Sequence, residues 1–549
     1  MNRSAAAPAA GADGTPAIAA PAPAEPHRGV YARASTRWIL AILSLAILMG
    51  LSIALRTTAM ETSYWIDEGI ATGIARYPFW DIPSKLLLDG SPPLYYLLLH
   101  VWESFFGTGQ FATRSLSLVA SILTIPVAWV LAKRIAGTRA AWIAALIAAG
   151  HPFLTYYAQE TRMYSLVALE ALILSGALVL VFTQRRRRWI PIAVLSGAAL
   201  LYTHNWGLFA GMASFFASLF TVLTGPREER RAGIVDGVIT YGAIGLLYLP
   251  WVPSLLAQAR STGAPWSQQP SLVDLFSAMV VPFGYEVTGV VLALITALAA
   301  ARIATRHRRG DGPTSRAALL LVSMIVASAC IAWAASQVSP AWSVRYLAVS
   351  VGPAILLAGL VLARIPTVGA AVLCLLVVTW AQPLDARISA KSNVAQVAAL
   401  LQQYGVVQRG DVVVSPHPEQ LPVISHYLGG APRYATSLGW QADTRIFDWR
   451  HALDRLKAAR SDAVWASMRP SIDRGEHVVL IVPLLRSANW EAPWTWLVRK
   501  RSIDWQRTLD ADPGLTRLVE LPRYGDRKLP RGVRAIVYER NGSENDHTP

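Results

Sequence analysis

Residues 38–55, WILAILSLAILMGLSIAL, hold no charged side chain. As a helix this run is long enough to cross the roughly 30 Å hydrocarbon core of a bilayer. Comparable apolar runs recur at 114–132, 140–156, 165–183, 189–204, 206–224, 233–253, 287–301, 317–335, 346–362 and 367–382. The spacing predicts a polytopic α-helical membrane protein of about eleven transmembrane helices. Composition agrees: of 549 residues, 53% are hydrophobic and only 15% charged, with a mean hydropathy of +0.37, where a soluble domain carries nearer a quarter charged residues.

The formal net charge is +16. Its basic residues sit between the apolar runs, as Lys133, Arg134 and Arg139, then Arg185–Arg188, then Arg227, Arg230 and Arg231, then Arg302, Arg306, Arg308 and Arg309, with Arg364 last. That scatter marks cytoplasmic loops touching anionic membrane lipids and argues against nucleic-acid binding. With Arg28, Arg33 and Arg37 ahead of the first run, the N-terminus is expected inside and the C-terminus outside. Residues 1–35, rich in Ala and Pro, read as a disordered cytoplasmic tail. Residues 36–383 read as the membrane domain, with a long outer loop at 56–113. The short apolar stretch 93–106 is expected on the outer surface, because a span there would invert every later loop. Cys330 and Cys374 both fall in apolar runs, which leaves no disulfide framework.

From 384 to 549 the pattern changes. Charges become frequent and apolar runs shorten to strand length at DVVVS (411–415), VVLIVP (478–483) and VRAIVY (533–538). Helical patterns lie near 393–404, 448–468 and 490–509, so a soluble extracytoplasmic α/β domain is expected. It lacks a G-x-G-x-x-G fingerprint.

The unusual polar residues gather in the outer loops. They occur in SYWIDEG (63–69), DGSPPLYY (89–96), YYAQETRMY (156–164), YTHNW (202–206), PWSQ (265–268) and SPAWSVRY (339–346). Polar groups beside membrane segments are costly and tend to be functional. Taken in order, with RSLS at 114–117 opening a helix, these motifs resemble the GT-C membrane glycosyltransferases. The likeness is to the branch holding protein O-mannosyltransferases and lipid A aminoarabinose transferases (glycosyltransferase family 39-like), and covers roughly residues 36–380.

The resemblance implies an inverting transferase that moves a sugar from a polyprenyl-phosphate donor to a lipid, glycan or protein acceptor outside the cytoplasm. On that reading Asp67 is the general base and Glu68 positions the acceptor. Arg162 and Arg345 would hold the donor phosphate, since an arginine fork suits an oxyanion. Asp89, Glu160, Tyr164, His204 and Tyr346 are candidate substrate-binding residues. No cofactor is expected: a monophosphate leaving group makes a divalent metal less necessary than a diphosphate would, and no clear ligand motif supports one. In aminoarabinose transferases a Glu-Lys pair precedes the Pro-Pro of the first loop, whereas here Gly90 and Ser91 stand there, so that pair's role does not carry over.

Plainer readings compete. Asp67-Glu68 could cap a helix, Glu160 and Arg162 could form a structural ion pair, and the tryptophans could form an interfacial belt. At the level of function, the alternatives are a transporter or flippase of lipid-linked saccharide and an envelope scaffold or receptor. The former would show broken helices and a midplane site; the latter leaves the acidic first loop without a purpose.

Overall fold

The computed structural model describes residues 28–306, 312–380, 391–484, 490–522 and 531–541. The chain divides into two compact units, Met1–Ile47 and Leu48–Pro549. Most of the expected tail lies outside the described residues. From Arg28 onward the chain is helical, and this helix ends at Leu55. It therefore starts ahead of the apolar run, because nothing between Arg28 and Trp38 breaks a helix: there is no proline and one glycine.

Among the described residues, six helices are long and apolar enough to cross a membrane: Trp38–Leu55, Gln110–Ala136, Tyr164–Phe182, Arg227–Ser261, Gly312–Val338 and Val344–Leu362. A seventh span arises if the bent pair Leu272–Phe283 and Val287–Arg302 is counted as one. That pair turns by 86° at Gly284, whose φ of +132° favours glycine. The expected span 287–301 coincides with its second arm, whereas the first arm was not among the expected spans. Three shorter apolar helices, Thr138–Gly150, Gly207–Leu223 and Pro366–Thr379, coincide with other expected spans. The basic connection at Arg308 and Arg309, and the expected domain boundary at 383, lie outside the described residues.

Small residues set the helix packing. A methyl group at Gly352 would overlap the backbone of Leu172, and one at Gly359 would lie 2.8 Å from the Ala144 side chain. Helix Ala348–Leu362 thus meets two neighbours backbone to backbone, as membrane helices do where glycine permits it. The Arg185–Arg188 run is more than a topology signal, since Arg185 and Arg187 pair with the buried Asp236 at 3.1 and 2.7 Å.

The first loop is itself helical, over Ile66–Ala75, Ile82–Asp89 and Leu94–Phe106. Beyond residue 391 lies a six-stranded mixed sheet. Its strands are β1 Val412–Ser415, β2 Arg433–Thr436, β3 Gly439–Trp440, β4 His477–Pro483, β5 Leu515–Leu521 and β6 Val533–Arg540, ordered β3-β2-β1-β4-β6-β5. β1 is parallel to β2 and β4 and buried on both faces, which is why it reads as an unbroken valine run. The expected helix over 448–468 is two, Ala452–Ala458 and Ser461–Met468.

The sheet region docks on the first loop. The backbone of Val423 lies against Gly69, and the Arg445 carbonyl against Gly73, where a side chain would overlap it. Tyr77 donates to Asp443 at 2.6 Å, and the Tyr64 amide donates to the Tyr427 hydroxyl at 2.8 Å.

Candidate active site

Helix Ile66–Ala75 begins with two acids facing different surroundings. Glu68 is 1% exposed. Arg114 reaches it with two parallel bonds, Nε to Oε1 at 2.8 Å and Nη2 to Oε2 at 2.7 Å. The Thr161 amide donates to Oε1 at 2.9 Å, and the Trp65 amide to Oε2 at 3.4 Å. Arg114 also donates through Nη1 to the carbonyls of Ala59, Met60 and Thr62. With both oxygens taken, Glu68 caps its own helix and ties the first loop to the 156–164 turn. It does not line the cavity described next, so the structure corrects its expected contact with an acceptor. The capping alternative describes Glu68.

Asp67, one residue earlier, points into a cavity of about 600 Å³. Its Oδ2 meets Arg345 Nη1 at 2.8 Å, and Arg162 Nη1 donates to its backbone carbonyl at 3.3 Å. Burial pushes the carboxyl pKa up, but Arg345 and Arg162 outweigh it and hold the group below the usual carboxylate range. Asp67 is thereby kept ionised. The Nε atoms of Arg162 and Arg345 are buried and have no hydrogen-bond partner among the described residues. Two cations with orphan donors in one cavity suit an anion. Arg345 sits among the rings of Trp65, Trp266 and Tyr346, 5.3–5.5 Å from each centroid, an environment that holds a guanidinium in place.

Asp89, His204 and Tyr346 also line the cavity. Burial raises the Asp89 carboxyl above its ordinary value, against hydrogen bonding by Ser91 and the charge of Arg162. His204 Nδ1 accepts from the Trp206 amide at 3.0 Å, and its ring lies 4.7 Å from that of Tyr346. Tyr164 is fully buried behind this wall, its ring 5.8 Å beneath Arg162, and does not reach the cavity surface. Glu160 does not reach it either. It pairs with Lys391, so neither its expected contact with substrate nor the competing ion pair with Arg162 is what the structure shows. Gly90, at the place of the missing acid-base pair, ends helix Ile82–Asp89 with φ +91° and packs against Thr262. That conformation favours glycine at position 90.

Sequence reasoning missed Lys391 and the partner of Glu68. Arg114 carried a signal, as an arginine opening a long apolar helix has to find an acid inside the protein. Lys391 carried none. The far wall of the cavity was missed too: His417, Glu419, Gln420, Trp449 and Arg531 come from the sheet region. Among the described residues no group of three or more His, Cys, Asp or Glu is arranged to hold a metal ion.

Residues 90–232 match the family model described as dolichyl-phosphate-mannose-protein mannosyltransferase. The fold is similar to that of ArnT from Cupriavidus metallidurans bound to undecaprenyl phosphate, with TM-score 0.53 at 14% identity over 94% of this chain and 100% of that one. It is also similar to the archaeal oligosaccharyltransferase AglB from Archaeoglobus fulgidus, in complex with an inhibitory peptide and a dolichol-phosphate. There the TM-score is 0.50 at 12% identity, over 81% of this chain and 69% of that one. The mycobacterial arabinofuranosyltransferase AftD gives 0.50 at 16% identity, over 92% of this chain but 42% of that one. At such identities the likeness is one of fold. No curated protein matches the chain in sequence. The family match and the shared fold bear out the resemblance to GT-C glycosyltransferases of the O-mannosyltransferase and ArnT branch.

Proposed function

We propose that this chain is an inverting glycosyltransferase that takes a hexosyl or pentosyl group from a polyprenyl-phosphate donor. The acceptor is a lipid, glycan or protein hydroxyl on the extracytoplasmic side of the cell membrane. The observation that carries the reading is Asp67, ion-paired with Arg345 and beside Arg162 on one cavity wall. A carboxylate there can take the proton of an acceptor hydroxyl. The hydroxyl oxygen attacks the anomeric carbon from the face opposite the phosphate. The bond from that carbon to the phosphate oxygen breaks, and its electron pair leaves on the polyprenyl phosphate. Arg162 and Arg345 offset the growing negative charge through their unpartnered donors. A chain crossing the membrane about eleven times, N-terminus inside and C-terminus outside, would put this cavity at the outer face.

The test is transfer of label from a panel of radiolabelled polyprenyl-phosphate sugars into envelope extract, with wild type and Asp67→Asn in lipid. Wild type should transfer from at least one donor. The variant should lose roughly a hundredfold to ten-thousandfold in rate with its unfolding temperature nearly unchanged. Equal transfer by both would remove Asp67 as the base. No transfer from any donor by folded wild type would favour a transporter of lipid-linked saccharide or a scaffold.

A further inference from the structure

The wall of the cavity built by the sheet region is polar, buried and incompletely satisfied. It comes from the turn Pro418–Gln420 and the residue before it. His417 is 7% exposed and Gln420 2%. His417 Nε2 is 2.6 Å from Glu419 Oε1; with Nε2–H donating to that carboxylate, Nδ1 of the neutral ring keeps its lone pair. That Nδ1 and the Gln420 Oε1 are both buried and have no partner among the described residues. Burying two such acceptors costs stability unless a ligand completes them. Both lack a proton donor, and a hydroxyl supplies one. The flat rings of Trp449 and Trp490 line the same cavity.

Position assigns the ligand. The turn Pro418–Gln420 packs against helix Ile66–Ala75, the helix bearing Asp67. On the reading proposed above, the acceptor is the substrate that Asp67 touches, while the donor phosphate belongs to Arg162 and Arg345. Two buried hydroxyl-seeking acceptors in a cavity that tryptophans also line suit a polyhydroxylated ring better than a peptide or an acyl chain. We propose that His417 and Gln420, with Glu419 fixing the imidazole, form a recognition site for a saccharide acceptor contributed by the C-terminal region.

The test uses the full chain in lipid nanodiscs and needs no turnover. Saturation-transfer NMR is recorded with methyl glycosides and disaccharides of mannose, glucose, galactose and arabinose, with a serine- and threonine-bearing octapeptide as counter-probe. At least one saccharide should bind wild type. His417→Ala and Gln420→Ala should each weaken it by about fivefold to tenfold, the factor carried by one hydrogen bond to a buried group. Glu419→Gln, which keeps the shape, should weaken it less. Binding of undecaprenyl phosphate, measured in parallel, should stay within about twofold, which also shows that the variants are folded. Saccharide binding that survives both alanine substitutions overturns the proposal. So does the absence of any saccharide signal from folded wild type, or a peptide signal that both substitutions remove. Failure of the transferase reading shows up separately, as donor never consumed by a protein that still binds saccharide through these residues.

Discussion

Two arginine–carboxylate pairs start from adjacent residues and belong to different regions of the molecule. The Glu68–Arg114 pair is sealed between the first loop, the helix Gln110–Ala136 and the 156–164 turn, with every oxygen and most nitrogens engaged. The Asp67–Arg345 pair stands on a cavity wall with donors to spare. The charges are alike; the difference lies in how many partners remain open. A closed pair holds a shape, whereas an open one can exchange a partner with a substrate. The comparison can be broken by variants that move one property without the other.

The largest effect on stability should come from Arg114→Met. It leaves Glu68 as an unpaired buried charge and strips three carbonyls, at about 3–5 kcal/mol. Thermal unfolding should show it, with Asp67→Asn shifting the midpoint far less. Adding Glu68→Leu to Arg114→Met should recover only part of the loss, since the carbonyls of Ala59, Met60 and Thr62 stay without their donor. Next comes Arg162→Met, which should weaken undecaprenyl phosphate binding by roughly tenfold to a hundredfold, the range for charge-assisted hydrogen bonds, and leave folding intact. Gly73→Ala would push a methyl against the Arg445 carbonyl. Overpacking of this kind costs about 1–3 kcal/mol and should raise protease cleavage of the C-terminal region.

The last effect is read against pH. Burial lowers the Lys391 ammonium to about 7, against the pull of Glu68 and Asp67. Between that value and roughly 10.4 the unfolded chain holds a proton that the folded chain lacks. Stability should therefore rise with pH across this window, by a term that is complete above it and lost as pH falls through about 7. Lys391→Met should flatten that rise in unfolding measured at a series of pH values.

How far the sequence spoke depended on range. Apolar runs located most helices, because a membrane span and a buried strand such as VVVS need only local composition. Asp67, Arg162 and Arg345 were legible as rare charges in aromatic loops near apolar segments. Pairings were not: Arg114 lies far from Glu68 along the chain, and Lys391 meets Glu160 only through the fold. The arm Leu272–Phe283 escaped because Pro282 and Gly284 break the apolar pattern before 287, so only the second arm read as a span. His417 and Gln420 looked like ordinary residues after a strand, since nothing local says that two buried acceptors will lack donors.

The cavity draws on residues far apart in the chain, from Trp65 to Gly532. Translation therefore makes the wall that holds Asp67 well before the wall that holds His417 and Arg531. Until the ribosome has passed residue 532 there is half an enclosure in the membrane. A nascent or prematurely stopped product carries the acid and both arginines and still has no closed vessel around them.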